Sequence, residues 1–168
     1  MTGHSMTDVC AAAMPLAASA VPPRPEAPAG LEPGPNEALS MVVAAEGVQI
    51  YECRARTGVA AEPEWAFVAP EAELFDARGR SIGRHGAGPH WQAGDGSRIE
   101  GMVKARAEAP VAGAIPWLLL TTRNVGPKGS LSQVTSIRRV NTVGGSAPAG
   151  ACNRSTTGTS IRIPCTAD

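Results

Sequence analysis

Two histidines, a tryptophan, an arginine and an aspartate fall together in the stretch Gly83-Arg-His-Gly-Ala-Gly-Pro-His-Trp-Gln-Ala-Gly-Asp-Gly-Ser97. An indole flanked by polar arms is the usual composition of a saccharide or small-ligand site, with Trp91 as platform and Arg84, His85 and Asp95 as polar contacts. His85 and His90 would converge on a metal ion if the backbone turned back on itself, with Asp95 or Glu100 as the third ligand. Surface or hydrogen-bonding histidines are the plainer reading of the same pair. A hydrolase would need His85 as base to Ser97, yet no G-x-S-x-G elbow surrounds Ser97 or Ser146. The glycines at 83–88 lack the Lys-Ser/Thr and the following helix of a phosphate loop, so they read as a tight turn. Glu52, Glu71, Glu73 and Asp76 lie close enough in sequence for an acid/base pair, but solvated strand ends are the default. Trp65 and Trp117 are expected in the core.

The elements that must position these side chains are short strands. With 19 glycines and 15 prolines in 168 residues, about a fifth of the chain is punctuation, against a usual share nearer ~12%. Residues 39–45 and 48–54 flank Glu46-Gly47 and read as two strands with a bend or bulge at Gly47. The second alternates Val48, Ile50 and Glu52 against Gln49, Tyr51 and Cys53. Residues 65–68 form an apolar strand stopped by Pro70, with Leu74-Phe75 the next apolar step. Asp76-Ala-Arg-Gly79 makes a turn, and 80–85 returns as a hairpin strand. After the Asp95-Gly-Ser97 turn, 98–107 alternates cleanly, with Ile99, Gly101, Val103, Ala105 and Ala107 on one face. Ile115-Pro-Trp-Leu-Leu-Leu-Thr-Thr122 is a continuous apolar run, expected as a core strand. Residues 131–140 give a further strand, 141–150 a loop, and 160–164 a last strand. The fold class that follows is all-β: an antiparallel β-sandwich or barrel of about seven or eight short strands, with little helix.

Lys and Arg balance Asp and Glu at 15 each, so no global field gathers nucleic acid or an anionic membrane. No apolar run reaches the ~18 residues of a membrane span. Residues 1–20 resemble a signal peptide, with Val9-Cys-Ala-Ala-Ala-Met-Pro-Leu-Ala17 as the apolar region and Ala18-Ser-Ala20 as the cleavage pattern, though Met1 to Asp8 carries no Lys or Arg. Residues 21–37 are proline-rich and read as a disordered, hydrated arm. A single β-rich domain over 38–168 is left, expected as an exported monomer, periplasmic or extracellular. Cys10 falls in the leader, leaving Cys53, Cys152 and Cys165, with no C-x-x-C pair for zinc or redox chemistry. A Cys53 to Cys152 bridge would contribute ~4–5 kcal/mol in the chain-entropy model; three reduced, buried thiols are the alternative.

The motifs Glu46-Gly-Val-Gln-Ile-Tyr-Glu-Cys53, Phe67-Val-Ala-Pro-Glu-Ala72, Gly83-Arg-His85 with Ala87-Gly-Pro89 and Trp91, Asp95-Gly-Ser97, Gly113-Ala-Ile-Pro-Trp-Leu-Leu-Leu120 and Arg139-Val-Asn-Thr-Val-Gly-Gly145 resemble, in order, those of a bacterial and fungal domain family of unknown function. Its members are generally exported, and some fungal ones carry a malate dehydrogenase label. That label finds no dinucleotide fingerprint in this chain. The resemblance implies that Cys53 and Cys152 match positions often occupied by cysteine, which favours the bridge. This chain departs from the family pattern at His90, at Arg123-Asn124 in place of a Ser-His pair, and at Cys165 in place of a Tyr.

Three functions are consistent with these residues. The first is a binding module for a small molecule or saccharide using 83–97, with no cofactor. The second is a hydrolase or metal-dependent enzyme centred on His85. The third is a structural or interaction protein of the cell envelope.

Overall fold

The computed structural model describes residues 23–56 and 62–168; the expected leader and Cys10 lie outside them. Nine strands form one sheet: β1 Ala44–Arg54, β2 Glu64–Phe75, β3 Ser81–Gly86, β4 His90–Ala93, β5 Arg98–Ala107, β6 Trp117–Asn124, β7 Ser136–Arg139, β8 Val143–Gly144 and β9 Ser160–Ala167. Their spatial order is β7-β6-β5-β4-β3-β2-β1-β9-β8, and every pairing is antiparallel. The only helix among the described residues is a 3-10 turn, Ala29–Leu31. No helix among them is long and apolar enough to cross a membrane.

β7 and β8 stand at opposite ends of that order, yet only residues 140–142 separate them in the chain. A span of that length reaches at most ~14 Å, so the sheet must curl into a half-barrel. The junction is fixed by backbone bonds. Val140 and Asp168 exchange both of theirs at 3.0 Å, Ile115 N donates to Gly144 O at 2.9 Å, and the buried Thr142 hydroxyl donates to Ile115 O at 2.6 Å.

Curling gives the sheet an inner and an outer face, and the apolar run of β6 serves both. Leu120 faces inward, against Trp91 across Gly101. Trp117 and Leu119 face outward and would be exposed if nothing covered them. Leu31 does so: it is fully buried against Trp117, Leu119 and Val140, in a socket of Ala27, Ala105, Ala107 and Ala109. Composition predicts a hydrated arm over 21–37, but within it Ala27 and Leu31 pack on the outer face, while Arg24, Pro25, Pro33 and Glu37 reach the lining of the cavity. The arm is held by Arg138, which donates to Glu32 at 3.1 Å and to Pro25 O at 2.8 Å. A single leucine at the right spacing outweighs the proline-rich context.

Several strands differ from expectation for identifiable reasons. β1 is one strand, because Gly47 marks a close approach to β2 and not a bend: a β-carbon there would collide with Glu71 O. The irregularity falls instead between Ile50 and Tyr51. β2 runs through Pro70, which is tolerated because β3 pairs only from Ala72 onward and leaves that side of β2 unbonded. β7 is confined to four residues, β8 arises inside the expected loop 141–150, and β9 continues to Ala167. The Cys53–Cys152 disulfide is formed, with Cα atoms 5.4 Å apart; Cys165 is free.

Leu31→Ala is expected to lower stability by ~2–4 kcal/mol in urea unfolding, the range for a buried leucine truncated to alanine. A loss below about 0.5 kcal/mol, the scale of ordinary surface changes, would show that residues 23–37 contribute nothing to the core.

Candidate functional site

The stretch 83–97 is a hairpin followed by a tight turn. β3 and β4 pair Gly83 with Ala93, Arg84 with Gln92, His85 with Trp91 and Gly86 with His90. Gly88 turns the chain at φ 113°, and the absence of a β-carbon at Gly86 makes room for the His90 ring. Because register partners share a face, His85 and Trp91 both point inward while Arg84 points out.

His85 and Trp91 stack with ring centroids 4.4 Å apart and planes 13° from parallel. The His85 Nδ1 lies 2.9 Å from His90 O. A carbonyl only accepts, so Nδ1 carries the proton and Nε2 is left as the acceptor. Burial depresses the imidazole from 6.5 to about 4, which keeps it neutral at physiological pH. His90 Nδ1 is likewise committed, 2.6 Å from Ala87 O. Each ring thus spends a nitrogen on the hairpin itself. Among the described residues, no group of three or more His, Cys, Asp or Glu side chains is arranged to hold a metal ion.

Asp95 is occupied in the turn. Its carboxylate accepts from Ser97 N at 2.9 Å, Ser97 Oγ at 2.6 Å and Ser130 N at 2.7 Å, which holds it well below the usual carboxylate range. The fully buried Ser97 hydroxyl donates to Asp95 and accepts from Leu131 N at 3.1 Å, so its proton is directed away from any base at His85. Arg84 is largely exposed and 3.6 Å from Glu73, on a groove of about 390 Å³ that His85 also lines, with Glu46, Glu71 and Arg162. Of the four expected contacts, then, the fold stacks His85 on Trp91, sets Arg84 beside His85 on the groove and not beside Trp91, and commits Asp95 to its own turn.

Trp91 also lines a cavity of about 380 Å³. Residues 37–43 cover it, crossing from the β7 side, where Glu37 accepts from Thr135 and Ser136 hydroxyls at 2.6 Å each, to the start of β1. The apolar walls are Leu74, Ile82, Trp91, Ala93 and Ile99 from β2–β5, with Leu131, Val134, Ile137 and Val140 opposite and Leu39, Met41 and Val43 from the crossing segment; Arg24, Glu37, Arg138 and Asp168 supply charged groups to the same lining. That segment reads from its residues as a strand; here it makes no strand pairing. Its signal was an apolar run leading into β1 with no turn between them.

The remainder of the inner face sets polar groups among Ile161, Ile163 and Leu118. Gln49 and Tyr51 are buried, with Tyr51 Oη donating to Gly145 O at 2.7 Å and Gln49 Nε2 lying 3.5 Å from Cys165 Sγ. Arg139 donates to Pro116 O through Nη2 at 2.7 Å and Nε at 3.2 Å. The alternation of β1 separates Gln49, Tyr51 and Cys53 from Val48 and Ile50, but residue type alone does not identify the glutamine-bearing side as the interior. Trp117 joins the core as expected, while Trp65 is part-exposed and donates to Gly150 O at 2.9 Å.

A family model described as a protein of unknown function (DUF3455) matches residues 33–168. No curated protein and no solved structure matches the chain.

Between pH 6.5 and about 4, the range over which burial lowers the His85 pKa, the unfolded chain takes up a proton that the folded protein refuses. Stability therefore rises with pH across that window: the contribution is complete above it and is lost as the pH falls, on the order of 3 kcal/mol in all. His85→Phe, which keeps a ring on Trp91, should flatten the urea midpoint across the window. An unaltered slope would assign the uptake to another group. Glu37, lowered from 4.5 to about 2 by its bonds from Ser136 and Thr135, acts in a separate window further down.

Proposed function

The chain belongs to the DUF3455 family of unknown function, and we propose that it is an exported binding module for a small, mainly apolar molecule held inside the half-barrel. The cavity beneath residues 37–43 carries this reading. Its volume falls in the range of small-molecule sites, which are concave, mostly apolar and furnished with a few polar groups. A protein interior ordinarily leaves few voids larger than a water molecule, so a space of this size behind Trp91 calls for an occupant.

The composition of the walls favours an apolar ligand over a saccharide. Sugar hydroxyls need a polar partner each once they leave water, whereas this cavity presents Leu39, Leu74, Ile82, Ile99, Val134 and Ile137. One face of Trp91 is already taken by His85, so the indole serves as wall and not as a free stacking platform. Entry is by way of residues 38–43, which make no hydrogen bond to the strands they cross. The Cys53–Cys152 disulfide supports export, since such bonds persist in oxidising compartments.

The neutral apolar fluorophore Nile red should bind the protein saturably, with a blue-shifted emission. Ala93→Phe directs a ring into the cavity and should weaken that binding by about tenfold or more, while circular dichroism stays that of the parent; overpacking of this kind costs ~1–3 kcal/mol of stability. Absence of saturable binding to the parent protein, or equal binding by the variant, would sink the proposal.

A further inference from the structure

The β3–β4 hairpin is shorter than the strands on either side of it. β2 pairs with β3 only over residues 72–75. β5 pairs with β4 only over residues 98–100, with one further bond from Gly101 N to Pro89 O at 3.0 Å. Past the hairpin turn, residues 64–71 of β2 and 102–107 of β5 each keep one edge that no strand covers, and no backbone hydrogen bond joins the two edges. Where the hairpin lies between them, β2 and β5 are three strand spacings apart, ~14 Å. The barrel wall therefore has a slot two strands wide. Alternation from Gly101 turns the N–H and C=O of Val103 into it.

The side chains along the slot are apolar and poorly covered. Phe67 pairs with Tyr51 and packs edge-on to it at 5.8 Å, and Val103 pairs with the inward-facing Leu120, so both belong to the inner face. Even so, Phe67 is 53% and Val103 47% exposed, and Val68 and Met102 beside them are exposed as well. Of the eight large apolar side chains exposed among the described residues, four thus lie on these two edges, a concentration that marks a contact surface. None of the four is a wall of the cavity beneath residues 37–43.

Charge on the two edges is unequal. On β2, Glu64 is paired with Arg56 at 2.6 Å and Glu71 with Arg162. On β5, the exposed Lys104 and Arg106 form no ion pair among the described residues, and Glu108, just past the strand, meets neither of them. Arg106 stands opposite Leu118, on the inner face. An unpaired edge is a template for a strand from another chain, and a lysine or an inward-pointing charge on it deters an apolar newcomer. The same two cations favour an acidic one.

We propose that the slot takes an extended, acidic segment of a partner protein, added as a strand along β5. The segment continues the line of β4 past the hairpin turn and bonds to the Val103 backbone. Its apolar side chains lie over Phe67 and Val103, and its carboxylates come within reach of Lys104 and Arg106. Backbone bonds supply the attachment, while the charges decide which segment is admitted.

A fluorescein-labelled peptide of four glutamate-valine repeats, titrated with the full chain at neutral pH and followed by anisotropy, tests this against a lysine-valine peptide of equal length. The acidic peptide should bind saturably and about tenfold more tightly or better. Its binding should slow the hydrogen exchange of the Val103 amide by a similar factor. Arg106→Glu, a change at an exposed position, should reverse the preference between the two peptides. Absence of saturable binding to the parent protein would sink the proposal, and so would equal binding of both peptides. Binding that leaves the Val103 amide exchanging as before would overturn the strand assignment, and these three outcomes are read on the parent protein alone. Retention of the acidic preference by the variant would remove the role given to Arg106.

Discussion

The interior of this protein exists because three residues bridge the two ends of its sheet. Residues 140–142 are too short to let β7 and β8 lie apart, so the remaining strands must curve to bring them close. The bridge is secured from both sides, by the Val140–Asp168 backbone pair and by the Thr142 hydroxyl on Ile115 O. Gly144 and Gly145, at φ 71° and 86°, let the chain pass where side chains would strike Pro164, Cys165 and Gln49. The Arg139-to-Gly145 motif is therefore a closure device before it is anything else. The cavity, the buried polar groups of β1 and the position of Arg139 are consequences of it.

Much of the fold was legible because period-two patterning and turn chemistry act locally. β5 shows its alternation, Asp76-Ala-Arg-Gly79 its turn, and the unbroken apolar stretch of β6 its double burial. What local patterning cannot report is which distant segment covers a face. Leu31 is one apolar residue among prolines, and only the socket of Ala105, Ala107 and Ala109 gives it a destination. Residues 39–43 are apolar enough for a strand, yet β2 gives way to the 76–79 turn after Phe75 and Asp168 is paired with Val140, so no strand continues alongside them. The two positions where the strand reading failed at proline and glycine share a cause: Pro70 and Gly47 were interpreted from their own preferences, when the neighbouring strand decided their role.

The candidate site divides in the same way. His85 and Trp91 meet because hairpin register is set by the turn between them, which the Gly-Ala-Gly-Pro sequence announces. Arg84 and Asp95 were near in sequence, but alternation puts one on the outer face and a side-chain-to-backbone turn consumes the other. The interior is then built of two unlike halves. The half beneath residues 37–43 is aliphatic. The other half holds Tyr51 and Arg139, bonded to carbonyls of the junction, and Gln49, bonded to the Cys165 sulfur, the usual condition for burying such groups.

Strand β1 lies between β2 and β9, so the second strand-forming segment and the last are both needed at its flanks. Pairs such as Gly47 with Cys165 join positions more than a hundred residues apart, and closing loops of that length before any contact rewards it makes folding slow. The β2–β6 meander can assemble from neighbours as the chain is made. Its interior nevertheless stays open on the β1 side until β9 arrives and Cys152 becomes available to Cys53. Ordering in time therefore separates a wall that forms early from a seal that forms last, and during that interval the apolar lining is turned toward solvent.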